Sequence, residues 1–327
     1  MSDQVNTGDS VPGTILVTGG AGFLGSHLVD ALIARGARVW VIDNLLTGRL
    51  ENLAEARATG RMIFVEHDVR DAFHAGLPRF DVMYNLACPA SPPHYQDDPT
   101  ATALTCSQGM WHVLQRAERD GARVFHASTS EIYGDPEMHP QEESYWGRVN
   151  PIGPRSCYDE GKRFAETLAT DFARTRGIEL RMARIFNTYG PRMDPLDGRV
   201  VSNFVTQALR GEPLSIYGDG SQTRSFCYVS DLIEGILRLA DLDHPDPGPV
   251  NLGNPDEWTV GEFAELVIDM TGSQSRTDHL PLPVDDPVRR RPDISRASSL
   301  LGWRPTVMLE EGIRATIDYF GEQQKAA

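Results

Sequence analysis

The sequence predicts an α/β fold: a doubly wound parallel sheet followed by a smaller carboxyl-terminal domain. Three observations predict it. Short apolar, β-branched runs alternate with amphipathic helical segments through the first half of the chain. A glycine-rich turn joins the first of these runs to the first helix. After Asn187 the pattern loosens, and prolines and glycines cluster at 190–198, 211–220, 243–253 and 281–292.

Thr14–Thr18 (TILVT) is a buried strand, apolar on both faces as parallel strands are. Leu24–Arg35 is the first helix, ended by Gly36 in the manner of a C-cap. Arg38–Ile42, Met62–Glu66, Val82–Leu86 and Arg123–Ala127 read as strands two to five, with a helix over Thr102–Glu118. Strands alternating with helices form βαβ units. Ser156–Arg176 is one long helix, followed by the strand Glu179–Ile185. Asp231–Ala240 is a helix that returns to the first domain. The domain boundaries are therefore 14–186 for a Rossmann domain, with a returning segment near 225–253, and 187–320 mainly for a substrate domain. Residues 1–13 read as a disordered tail.

Composition bounds the function. The chain has 327 residues, enough for a sizeable core without staples. Its formal net charge is −15, which argues against a nucleic-acid or anionic-membrane binder. No apolar run approaches the ~20 residues that span a bilayer, and the amino terminus lacks a signal-peptide layout. Cys88, Cys106, Cys157 and Cys227 include no CxxC pair, so no metal site is expected and a reducing cytoplasm is the simplest compartment.

Thr18–Gly25 reads TGGAGFLG between a strand and a helix. Gly19 serves the tight turn, Gly22 lets the backbone approach a pyrophosphate, and Gly25 lets helix and sheet pack closely. The helix amino terminus presents N–H groups to the anion. Asp43 ends the next strand 24 residues after Gly19, where a carboxylate accepts both ribose hydroxyls and repels a 2′-phosphate, favouring NAD over NADP. Asp68 suits an adenine-edge contact. Tyr158 and Lys162 form Y-x-x-x-K on one face of the long helix. A nearby ammonium and an oxidised nicotinamide would both favour the phenolate, which can take a hydroxyl proton as hydride leaves. Ser128–Gly134 (STSEIYG) comes after the fifth strand, at the sheet edge where ligands sit. Thr129 and Ser130 offer hydroxyls to a substrate oxygen, and Glu131 a carboxylate. Cys157 is read as a packing residue.

Together TGGAGFLG, STSEIYG and YDEGK resemble the extended short-chain dehydrogenase/reductases that act on nucleotide sugars. Longer strings narrow this: NLACPASPPHYQ, NPIGPRSCYDEGKR, ARIFNTYGPRM, DGRVVSNF and PVNLGNP resemble the UDP-glucuronate decarboxylases, over nearly the whole chain from residue 14. The resemblance implies bound NAD, a UDP-sugar substrate and a homodimer. It implies that Tyr158 deprotonates the sugar C4 hydroxyl, that Thr129 binds the C4 oxygen and that Ser130 orients the ring. It also implies that Glu131 is an acid/base or water-orienting residue and that Lys162 holds the nicotinamide ribose. Around the glycines and Asp43, the implied NAD site adds Phe23, Leu24, Asn44, Thr47, Gly48 and Val69. Leu86, Ala87, Thr188 and Arg192 complete it. The implied substrate-binding segments carry Arg192, Arg199, Arg224 and Arg290, with Arg224 and Arg290 for the diphosphate or carboxylate, Asn187 and Asn203 for the nucleotide, and Tyr217 for stacking on uracil. The string DDPVRRRPD leaves open which of Arg289, Arg290 and Arg291 points inward, with Arg290 favoured.

One departure bears on substrate. Relatives commonly carry a lysine where this chain has Leu104, and Cys106, Ser107, Met110 and Trp111 also depart from the usual pattern. The expectation is either relaxed affinity for UDP-glucuronate or a related nucleotide sugar as the substrate instead. Three other readings stand beside the decarboxylase. A 4,6-dehydratase would carry Asp-Glu where this chain has Ser130–Glu131, a uronate 4-epimerase usually lacks the glutamate, and a non-catalytic sensor would commonly lose Tyr158 or Lys162.

Overall fold

A computed structural model describes residues 13–282 and 289–326. The expected tail falls, but for Gly13, outside the described residues. Seven parallel strands form the main sheet: β1 (Thr14–Thr18), β2 (Arg38–Asp43), β3 (Met62–Glu66), β4 (Val82–Asn85), β5 (Arg123–Thr129), β6 (Leu180–Ile185) and β7 (Pro249–Leu252). Their spatial order is β7-β6-β5-β4-β1-β2-β3. The winding reverses between β1 and β4, which opens a crevice at the carboxyl ends of these two strands.

The strands are apolar on both faces, and alternate residues serve different layers. Ile15, Val17, Val39, Val41, Phe125, Ala127 and Ala183 face one core with α1 (Phe23–Ala34). Leu16, Ile42, Met83, Val124 and Met182 face the other. That second face is covered by two helices from the amphipathic stretch before β5 and by α4. The first two are α2 (Pro99–Leu104) and α3 (Met110–Asp120), joined by a π-helical turn at Thr105–Gly109; α4 is Ser156–Arg176. The sequence pattern predicts one helix over Thr102–Glu118. A π turn inserts a residue without spoiling the apolar stripe, so periodicity does not reveal it.

The carboxyl-terminal half builds a second core. Helices α5 (Val200–Arg210), α7 (Val260–Thr271) and α8 (Leu309–Ala326) enclose Phe204, Phe226, Phe263, Ile313 and Phe320. The chain also returns to the first core twice. Helix α6 (Val229–Asp241) packs Leu232, Ile236 and Leu239 there before β7 extends the sheet. Ala297 and Trp303 make the second return, well beyond the single one expected near 225–253. Trp303 Nε1 donates to the Asp231 carbonyl at 2.9 Å, and the Asp231 carboxylate accepts the Thr306 and Val307 amides, so the second return is pinned on α6.

Candidate active site

A cleft of about 550 Å³ runs from the glycine turn to the second domain. Its first half is backbone chemistry. Gly19 adopts φ +70°, and a Cβ on Gly25 would collide with the Gly19 carbonyl oxygen. No side chain caps α1 at Gly22, so the amides of its first turn stay available to an anion. Asp43 is buried at the end of β2, where its carboxylate accepts the Ala21 amide at 2.9 Å and the Leu45 amide at 2.8 Å. Burial pushes its pKa up, and those two amides oppose the rise. The fixed carboxylate, the uncapped helix and the bare turn fit a dinucleotide.

Asp68 lies beyond the end of β3, in the loop after it. Arg70 grips both its oxygens and Asn44 Nδ2 donates to one at 2.9 Å, so Arg70 holds the carboxyl well below its ordinary range. Phe23, Leu24, Thr47, Val69, Leu86, Ala87 and Thr188 line the cleft. Gly48 does not. It packs under the Asp43 carboxylate, where a Cβ would come within 2.8 Å of an oxygen. Arg192, with φ +67°, lines the cleft while its guanidinium pairs with Asp30 at 2.5 Å.

The chemical centre sits where β5 meets α4. Thr129 ends β5, and Ser130 and Glu131 open a short 3₁₀ turn, with the Thr129 hydroxyl accepting the Glu131 amide at 3.2 Å. Tyr158 and Lys162 lie one turn apart on α4, both buried. The Tyr158 ring stacks on Tyr95 at 5.1 Å with the planes 6° apart. Burial drives the Tyr158 phenol well above its ordinary pKa; the Cys88 sulfur adds to this, and a hydrogen bond with Thr129 opposes it. Lys162 donates to the Ala127 carbonyl at 2.8 Å, and its Nζ lies 5.8 Å from the centre of the Tyr158 ring. The lysine ammonium does not offset the burial of the phenol. The sequence leads one to expect that it depresses the tyrosine pKa, and the desolvation of a fully enclosed phenol outweighs it.

Glu131 also differs from expectation. Its carboxylate is clamped by Arg155 at 2.5 Å and by Arg290 at 2.5 and 2.8 Å. Despite burial, the two guanidiniums lower its pKa to about 2. A group held so firmly ionised is no acid near neutral pH, which counts against the proton-donor half of the implied acid/base role. Beside it, the Asp159 carboxyl is buried, lies 3.9 Å from Arg155 and leaves Oδ1 without a hydrogen bond. Burial and the Glu131 charge raise its pKa to about 8.

The remaining predicted residues come from the second domain. Arg289–Arg290 pairs in parallel with Thr223–Ser225, which sets Arg290 beside Arg224. Arg290 is buried and faces the cleft, Arg289 is exposed, and Arg291 reaches Glu257 at 3.5 Å. Arg199 is bound by Asp197 at 2.5 and 2.9 Å. Asn187 and Asn203 line the cleft, and Asn203 Nδ2 donates to the Gly198 carbonyl at 2.9 Å. Tyr217 stands half-exposed on the rim. Leu104 is half-exposed and does not line the cleft, whereas its neighbour Thr105 does. Sequence reasoning missed Arg155, Tyr95 and Cys88, all in the cleft wall. Arg155 stands three residues before Tyr158 in the string NPIGPRSCYDEGKR, and that spacing was the available signal.

A family model described as GDP-mannose 4,6 dehydratase matches residues 16–316. UDP-glucuronic acid decarboxylase 1 of Arabidopsis thaliana is 54% identical over 306 residues, covering 94% of this chain and 69% of the relative. The Danio rerio enzyme of the same name is 52% identical over 309 residues, covering 94% and 73%. The chain belongs to the UDP-glucuronic acid decarboxylase family. Among solved structures, the UDP-glucuronic acid 4-epimerase of Bacillus cereus, in complex with UDP-glucuronic acid and NAD, superposes with a TM-score of 0.86. It is 28% identical, over 95% of this chain and 99% of that one. The fold is thus shared with a protein of different chemistry, so function is argued from the side chains of the cleft.

Proposed function

We propose that this protein is an NAD-dependent carboxy-lyase that converts UDP-glucuronate to UDP-xylose and carbon dioxide, regenerating NAD in each cycle. What carries the reading is the meeting, in one cleft, of a dinucleotide cradle, the Tyr158–Lys162 pair and the Glu131–Arg290 ion pair, in a chain more than half identical to decarboxylases along nearly its whole length. When bound, NAD supplies the hydride acceptor at C4 and, in oxidised form, a positive charge that favours the Tyr158 phenolate.

Tyr158 takes the C4 hydroxyl proton, with the Thr129 hydroxyl fixing the same oxygen. The resulting 4-ketone lies β to the C5 carboxylate, so carbon dioxide leaves as its bonding electrons flow into an enolate; a proton then adds at C5, and Tyr158 returns its proton to the C4 oxygen as C4 regains the hydride. Ser130 orients the ring. Lys162, tied to the Ala127 carbonyl, holds the edge of the cleft where the nicotinamide ribose would lie. Glu131 acts by fixing Arg155 and Arg290 rather than by giving up a proton. Arg199 and Arg224 face the diphosphate, Asn187 and Asn203 the nucleotide, and Tyr217 the uracil. Arg192 takes the outer edge of the cofactor site.

The chain acts as a homodimer in this proposal. Leu104, Trp111 and Phe164, on α2, α3 and α4, expose apolar surface on one helical layer, and a second copy would cover it. Among the described residues no helix is long and apolar enough to cross a membrane. The four free cysteines suit a reducing cytoplasm.

Proton NMR of the protein with UDP-glucuronate and catalytic NAD tests the reading. UDP-xylose without net NADH is expected. UDP-galacturonate instead would make the enzyme a uronate 4-epimerase, the reading that the Bacillus cereus likeness favours, and no turnover with NAD bound would overturn both.

A further inference from the structure

Two thiols meet behind the chemical centre. Cys88 Sγ and Cys106 Sγ lie 3.4 Å apart, and neither belongs to a metal cluster among the described residues. Cys88 comes just after β4 and lines the cleft, half-buried, so a small solute reaches it through the substrate opening. Cys106 is buried in the π turn between α2 and α3. Its side chain is seated on α4, where a Cβ added to Gly161 would come within 3.0 Å of Cys106 Cβ and 3.2 Å of Sγ. Gly161 adjoins Lys162. Cys106 thus packs closely on the helix that carries Tyr158 and Lys162, and Cys88 reaches that helix through it. The hydrogen bond from Cys88 lowers the Cys106 thiol from its ordinary pKa, and the Lys162 ammonium assists against the opposing burial.

We propose that Cys88 and Cys106 form a modification site, a dithiol that a hydroperoxide oxidises to a disulfide, and that the closed disulfide shuts down turnover by displacing α4 at Gly161. Cys106, the more readily ionised of the two, takes the Cys88 proton across the 3.4 Å contact as the Cys88 sulfur, which faces the cleft, attacks one peroxide oxygen. The O–O bond breaks, and the departing hydroxide takes a proton to leave as water. Cys106 sulfur then attacks the Cys88 sulfenic acid, the S–O bond breaks, and a second water leaves. Two thiols and one hydrogen peroxide give one disulfide and two waters. A disulfide needs its sulfurs about 2.05 Å apart, so closure draws them together by more than an ångström. Misplacing catalytic groups on that scale costs up to about a hundredfold in rate.

The proposal goes beyond the decarboxylase reading, and its first readout needs no substrate. The NAD-loaded protein is exposed to hydrogen peroxide, alkylated and mapped by mass spectrometry without reduction. The expected result is a Cys88–Cys106 cross-link and the loss of two of the four thiols. Turnover should fall about tenfold to a hundredfold and return with dithiothreitol. The Cys106→Ser variant should turn over normally before treatment and lose the reversible response. Retention of all four thiols, a cross-link that leaves turnover intact, irreversible loss alone, or an undiminished reversible response in Cys106→Ser would each overturn it. If the untreated protein fails to turn over UDP-glucuronate, that failure belongs to the decarboxylase reading, and the cross-link map still decides whether the dithiol closes.

Discussion

Asp159→Asn is predicted to remove a loss of stability that the wild type suffers as pH rises from about 4 to about 8. The Asp159 carboxyl is buried beside Glu131, and its pKa is raised from 3.8 to about 8 by that burial and by the Glu131 charge. Between those values the folded chain keeps a proton that the unfolded chain gives up. Stability therefore falls as pH climbs from about 4 to about 8, at up to about 1.4 kcal/mol per pH unit for this group. The groups that set its charge are Glu131 on the 3₁₀ turn, Arg155 and Glu160 on either side of it, and Arg290 from the second domain. Asparagine keeps the neutral shape at every pH. From pH 6 to pH 8 the wild type should lose about 2 kcal/mol relative to Asp159→Asn, because the slope has halved by pH 8. At roughly 2 °C per kcal/mol for a chain of this size, that is about 4 °C in the difference between the two melting temperatures. Thermal melts of both proteins at half-unit pH steps would read it. Parallel curves from pH 5 to pH 9 would show that Asp159 titrates as an ordinary carboxylate, and the argument from its burial would fail.

Glu131→Gln removes the counter-charge of two buried guanidiniums. It should cost about 3 kcal/mol or more by chemical denaturation at pH 7. Because Glu131 is lowered from 4.5 to about 2, its contribution is present above pH 4.5 and lost as pH falls towards 2, so wild type and variant should converge in acid. Tyr158→Phe keeps the ring stacked on Tyr95 and removes the proton acceptor; kcat should fall by about 10²–10⁴ while UDP-glucuronate still binds in calorimetry. Gly25→Ala sets a methyl group against the Gly19 carbonyl, so added NAD should no longer raise the melting temperature.

The parts legible in the sequence are those encoded by neighbours in the chain. Ile15, Leu16 and Val17 announce a strand buried on both faces, and Gly19, Gly22 and Gly25 announce the phosphate-binding turn at its end. Tyr158 and Lys162 are one helical turn apart, so spacing alone places them together. The clamp on Glu131 was not legible, because it joins residues 24 and 159 positions away, and only the pairing of Arg289–Arg290 with Thr223–Ser225 brings the second arginine there. The Cys88–Cys106 contact depends on a π turn that leaves no mark in hydropathy. Gly48 and Leu104 fail in the opposite sense. Both stand next to cleft residues in the chain, yet Gly48 serves the Asp43 carboxylate and Leu104 faces away. Adjacency in sequence does not set which way a side chain points.

In the proposed function, the arginines explain how a chain of net charge −15 takes an anionic cofactor and a trianionic substrate. Arg192 rests on Asp30, Arg199 on Asp197, and Arg155 and Arg290 on Glu131. Each is held in the cleft wall by a carboxylate of the protein, so its position is fixed before substrate arrives and none of its desolvation falls to binding alone. An incoming phosphate or carboxylate adds acceptors to guanidiniums already aimed, each with five donors to share. An acidic surface is then no obstacle to the proposed binding, because these cations sit in the cleft wall with their local counter-charge fixed. The same arrangement ties the two halves of the cleft together: Arg290 enters from the second domain and closes on Glu131 of the first, two residues after Thr129, so the arginine proposed to meet a substrate anion also joins the two halves of the site.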